Sequence, residues 1–143
     1  MYSKKTENHF LNPYKEGKMQ DWTGMGKVGE EIGDNITIWV KTKEDWIEDI
    51  TFEAKGSCAL IAVGSAIAKL ADKKRIPEAF CMTIQEINQQ LELPWEKIEC
   101  IEVGRRALQK AIMQDYQKKG KEIKELCQEE NCKIESCDIQ QKS

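Results

Sequence analysis

"NITIWVKTKEDWIEDITFEAKGSCALIAVGSAIAKL" occupies residues 35–70, and a change of period inside it decides the fold. Ile36, Ile38 and Val40 alternate with Thr37, Trp39 and Lys41, the period-two pattern of a half-buried strand. The polar turn "TKED" leads to a second strand, "WIEDITFEA", which ends at Ala54, so the pair predicts an antiparallel hairpin. From Cys58 to about Lys73 the Ala-rich run is too long for a strand, and Ala66, Ile67, Leu70 and Ala71 recur at helical spacing. Ser57 stands where an N-cap is needed, which puts Cys58 in the first turn, in the field of unpaired N–H groups that favours thiolate. Cys58 therefore has two readings: a small hydrophobe behind a capping serine, or a nucleophile or metal ligand.

Working outward, residues 1–20 hold an Asn-Pro pair and predict a short helix or loop ending near "LNPYKEG". "TGMGKVGEEIGDN" carries four glycines and reads as irregular or tightly turning backbone. Downstream, Pro77 opens a short helix. Thr83 with Glu86 makes a capping box for "TIQEINQQL", and Pro94 ends that helix. A long final helix is predicted from Trp95 to near Lys119, with Ile98, Ile101, Leu108, Ala111 and Ile112 as its apolar stripe. Cys100 lies on the flank of that stripe, roughly 60° from its centre, where a side chain faces both core and solvent. Beyond Gly120 the composition turns to Lys, Glu and Gln, which reads as a helix extension fraying into a disordered tail. The division is thus a domain over 1–119 and a polar, Cys-containing tail over 120–143. A hairpin followed by helices points to an α+β domain: a small antiparallel sheet, hairpin plus an irregular extra strand, with helices packed on one face.

The chain has 143 residues, the size of one ordinary domain with a real core. Its 22 Lys and Arg against 25 Asp and Glu give a net charge of -3, which speaks against nucleic acid or an anionic membrane as partner. No stretch approaches the roughly 20 apolar residues of a membrane span, and the basic start lacks the apolar core of a signal peptide, so a cytoplasmic protein is expected. Six cysteines in such a protein favour metal or redox chemistry over a disulfide framework. They fall into two sets: Cys58, Cys81 and Cys100 in the domain, and Cys127, Cys132 and Cys137 in the tail. Cys81 follows Phe80 in an apolar stretch and reads as core. The lone His9 reads as a packing residue.

Several pieces, in order and spacing, resemble the U-type iron–sulfur cluster assembly scaffold family of IscU, SufU and the amino-terminal domain of NifU. "HFLNP" followed by Gly17 resembles its opening "HxxNPxNxG", and "VGEEIGD" stands where the family has a Cys-Gly-Asp. "ITFEAKGSCALIAVGSAIAK" resembles its strand, Gly-Cys turn and Ala-rich helix. "LELPWEKIEC", then "ALQKAI" and "DY", resembles its Leu-Pro, Lys, Cys and closing-helix signature. The resemblance covers residues 8–118. It implies a non-catalytic platform that receives persulfide sulfur from a cysteine desulfurase, assembles a [2Fe–2S] cluster and passes it to apo iron–sulfur proteins. Soft thiolates suit both iron–sulfur clusters and zinc.

The match departs from the family at its ligands. Ile32 takes the first cysteine position, and isoleucine cannot ligate; Gly33 and Asp34 match. Ser57 falls on the second cysteine and Cys58 one residue later, a step that turns the side chain by about 100°. Cys100 matches the third in register, with Glu99 before it. Asp34, Cys58, Glu99 and Cys100 are therefore the candidate metal ligands, suited to Fe²⁺ or Zn²⁺ with mixed oxygen and sulfur donors. Cys127, Cys132 and Cys137 are candidate accessory thiols: five-residue steps rotate them by about 140° on a helix, so they converge only as loop. In "LPWEK", Leu93, Pro94, Trp95 and Lys97 resemble the exposed motif that a specialised chaperone reads, with Trp95 and Glu96 replacing smaller or apolar residues. Two functions from different classes remain. One is cluster assembly by metal, cluster or sulfur binding; the other is an adaptor that has lost the metal site and acts through protein–protein contact. A thiol enzyme with Cys58 as nucleophile lacks a paired base nearby in the sequence.

Overall fold

A computed structural model describes residues 2–29 and 33–120. Three antiparallel strands, β1 (Gly24–Gly29), β2 (Asn35–Lys43) and β3 (Trp46–Lys55), lie in the order β1-β2-β3. The helices are α1 (Lys4–Leu11), α2 (Cys58–Ala71), α3 (Ile76–Phe80), α4 (Ile84–Asn88) and α5 (Ile98–Lys119), the last preceded by a 3-10 turn over Trp95–Lys97. α2 and α5 pack on one face of the sheet, as the sequence predicts.

The hairpin's alternation makes that face. Ile36, Ile38 and Val40 from β2, with Ile50 and Phe52 from β3, are fully buried. Ile47 is buried too although three residues from Ile50, because the register shifts between Lys41 and Thr42. The bulge places an extra residue in β3 and turns Ile47 back toward the core. The outer edge of β3 is covered by the segment after α1, where the Gly17 N–H donates to the Phe52 carbonyl (2.8 Å) and the Phe52 N–H to that of Lys15 (3.2 Å). Unpaired edge groups are thus satisfied within the chain.

Two expectations change. The glycine-rich stretch, read as irregular, contains the regular strand β1, paired with β2 from Gly24 opposite Val40 to Gly29 opposite Asn35. Gly24 and Gly26 answer to α5, not to a turn: a Cβ on Gly24 would stand 2.2 Å from the Ala111 carbonyl oxygen, and one on Gly26 2.2 Å from that of Ala107. α4 also stops early, at Asn88, although its Thr83–Glu86 capping box forms as predicted. The Asn88 carboxamide accepts the Leu93 N–H (2.8 Å), and Glu92 adopts a positive φ of 56°. That side chain offers the backbone an alternative to another helical turn. α5 ends at Gly120, left-handed with φ 75°, the usual stop for a helix carrying lysines in its last turn. No described helix is long and apolar enough to cross a membrane.

Candidate functional site

The start of β2, the N-terminus of α2 and the first turn of α5 meet at one surface pocket. Asp34 immediately precedes β2, and its Oδ1 accepts the backbone N–H of Ser57 at 3.2 Å. Gly56 makes that approach possible: its φ is +113°, and a Cβ there would lie 1.9 Å from Asp34 Oδ1. Ser57 caps α2, its hydroxyl accepting the Leu60 N–H (3.3 Å), as the sequence predicts. Ser57 also acts on the thiol of Cys100, lowering its pKa.

Cys100 is half-buried on the flank of α5. Burial pushes its thiol above the ordinary range; the Ser57 hydrogen bond and the Lys97 ammonium pull it back, while Asp34 and Glu99 push it up. The thiol opens on a pocket of about 530 Å³ that Asp34, Glu96, Lys97 and Glu99 also line, with Leu60 and Val103 as apolar wall. Three carboxylates against one ammonium give the pocket a negative field, which draws cations.

Of the four candidate ligands, Asp34, Glu99 and Cys100 line this one pocket. Cys58 is not among its lining residues: it is the exposed first residue of α2, one step past the capping Ser57. Among the described residues no group of three or more His, Cys, Asp and Glu side chains is close enough together to hold a metal ion. Cys81 is 4 % exposed and belongs to the core, as predicted. Of the four candidate partner contacts, Leu93 is 5 % exposed and taken up by the core, whereas Trp95 is 84 % exposed. Pro94 and Lys97 are half-buried. Ile32, Cys127, Cys132 and Cys137 lie outside the described residues.

Sequence reasoning missed the part of Ser57 toward Cys100 and the presence of Glu96 and Lys97 in the pocket. The latter was legible, since residues three and four before Cys100 share its face once the helix and its preceding turn are drawn.

A small antiparallel sheet with two long helices on one face, and an acidic, thiol-bearing pocket at their common end, defines an α+β binding domain of the U-type scaffold class. The chain belongs to the family described as NifU-like N terminal domain, which matches residues 1–123. Iron-sulfur cluster assembly scaffold protein IscU 1 of Archaeoglobus fulgidus is 41 % identical over 130 residues, 88 % of this chain and 85 % of that one. A protein of the same kind from Aquifex aeolicus, IscU, is 35 % identical over 140 residues, 95 % of this chain and 85 % of that one. The fold is shared with a crystal structure from Fervidobacterium islandicum, described as a cluster assembly scaffold for the SUF system (TM-score 0.67, 15 % identity, 78 % of this chain and 96 % of that one). It is shared too with the N-terminal part of a NifU-like protein from Brucella abortus (TM-score 0.65, 14 % identity, 81 % and 94 %).

Proposed function

We propose that this chain works in iron–sulfur cluster assembly as a scaffold-like protein, by binding rather than by turnover, with the Cys100 pocket as its working site. Membership of the scaffold family supports this, and the observation that carries it is a half-buried thiol sharing one acidic pocket with Asp34 and Glu99. The cargo is iron, a nascent [2Fe–2S] cluster or sulfur.

Cys100 is the thiolate that ligates metal or accepts sulfur. In the second case its thiolate attacks the outer sulfur of a desulfurase persulfide; the new S–S bond forms on Cys100, and the desulfurase cysteine leaves as thiolate. Asp34 is an oxygen donor, fixed by the Ser57 N–H and suited to labile binding of soft cargo. Glu99 is a second oxygen donor. A closed cluster site takes four ligands, and Asp34, Glu99 and Cys100 share the pocket without standing close enough together to hold a metal ion unaided, so binding draws them inward and recruits thiols from elsewhere: Cys58 after rearrangement of the first turn of α2, Cys127, Cys132 or Cys137 from the tail, or a recipient protein. The partners in this reading are a cysteine desulfurase, apo iron–sulfur proteins and a chaperone, and Trp95, exposed beside the pocket, is the natural contact for one of them.

Anaerobic addition of Fe²⁺, sulfide and reductant tests the proposal. A cluster absorption band that Cys100→Ser abolishes is expected. The adaptor reading would instead give no band, and neither iron nor zinc by elemental analysis of freshly purified protein. Replacing Cys127, Cys132 and Cys137 with serine tests the tail separately, since unchanged metal content would remove those thiols from the ligand set.

A further inference from the structure

We propose that this chain carries a second binding site, for a small oxyanion such as the phosphate or carboxylate group of a metabolite, in the cavity between α1, α2 and the turn after α4. The cavity measures about 520 Å³ and shares no residue with the Cys100 pocket. That volume admits a ligand with several hydrogen-bonding groups.

Its chemistry is one-sided. Lys5 and His9 enter from α1 and Lys69 from the last turn of α2. Asn8 and Asn12 line it on the α1 side and Gln89 and Gln90 on the side of the turn after α4. With Tyr14 they complete a lining in which every side chain can hydrogen-bond and none is acidic. In a chain with 25 acidic residues against 22 basic, an acid-free lining in which Glu92 offsets Lys5 (3.2 Å) but no carboxylate pairs with Lys69 leaves one net positive charge where a polar anion would be bound.

The donors are available. Lys69 has no ion-pair partner among the described residues. Lys5 donates to the Gln89 carbonyl (3.1 Å) and pairs with Glu92 (3.2 Å), which leaves one of its three ammonium protons. The His9 ring is held at the cavity wall by a hydrogen bond between its Nδ1 and the fully buried Ser65 hydroxyl (2.7 Å), which also accepts the Tyr14 N–H at 2.8 Å. Asp72, which accepts the Tyr14 hydroxyl (2.8 Å), lies outside the lining, as does Glu92. The carboxyl ends of α1 and α2 oppose an anion, but this partial charge fades within a turn and is smaller than that of the Lys69 ammonium group.

His9 is the sole histidine, so its ring C–H signals in an NMR spectrum of the full chain report on the cavity without ambiguity. Sodium phosphate and, separately, sodium citrate are titrated against sodium chloride at matched ionic strength. The proposal expects a saturable shift of the His9 signals with one or both anions, and phosphate alone or citrate alone would identify the preferred group. Lys69→Gln should weaken the response at least about tenfold, the worth of one charge-assisted hydrogen bond, while Lys27→Gln on β1 leaves it unchanged. A shift no larger than that with chloride, or one undiminished in Lys69→Gln, would overturn the site.

Discussion

Gly56 holds the pocket's carboxylate in place by having no side chain. Its φ of +113° and the 1.9 Å that would separate an added Cβ from Asp34 Oδ1 act together, so Gly56→Ala should cost about 1–3 kcal/mol by urea unfolding. It should also displace Asp34, read as a loss of whatever iron the wild type retains. His9 sets a pH dependence of the opposite kind to a salt bridge. Burial first, and then the charge of Lys69, hold its pKa below the ordinary 6.5, so the unfolded chain takes up a proton that the folded chain refuses. Its contribution is complete above the unfolded value and is lost as pH falls from there toward the folded value. Stability measured between pH 7.5 and 5 should therefore fall more steeply in the wild type than in His9→Gln.

At the scale of elements, the seam between β1 and α5 and the cap of α2 carry the consequences. Gly26 lets the helix backbone come within reach of the strand, and Gly26→Ala forces a Cβ to within 2.2 Å of the Ala107 carbonyl. Overpacking of this kind costs about 1–3 kcal/mol, whereas Lys27→Ala, exposed on the same strand, should stay within about 0.5 kcal/mol. Calorimetry on the two variants checks the contrast. Ser57→Ala removes the N-cap of α2, worth about 1 kcal/mol, and also the hydrogen bond that lowers the Cys100 thiol pKa. With the other cysteines replaced by serine, the midpoint of the alkylation rate of Cys100 against pH should therefore move upward in Ser57→Ala. A purely capping serine would leave that midpoint where it was.

For the whole molecule, one core joins the sheet to α2 and α5, and the fully buried Ile101, Leu108 and Ile112 of α5 belong to it. The last helix closes at Gly120, and every layer before it has its partner, so we propose that residues 1–120 fold as a unit. A chain ending at Gly120 should unfold in a single transition with its midpoint within about 4 °C of that of the full chain, the shift that corresponds to roughly 1 kcal/mol. A lower or broader transition would show that residues after 120 belong to the domain. Metal content measured on the same truncated chain would say separately whether Cys127, Cys132 and Cys137 take part in binding.

Much of this was legible in the sequence because it depends on neighbours along the chain. The period-two run from Ile36 to Val40, the cap at Ser57, the capping box of Thr83 and Glu86 and the core face of α5 all arise from interactions within a few residues. β1 was misread because the need for Gly24 and Gly26 comes from Ala111 and Ala107, more than eighty positions away, and composition alone equates glycine with turns. The pocket divides in the same way. That a thiol at position 100 would lie half in the core and half in water follows from helical spacing. That Ser57, and not Cys58, acts on it while Asp34, just before β2, holds the turn was decided only when β2, α2 and α5 converged, because which residue of a helix start meets a distant group is set by the contacts that fix the first turn.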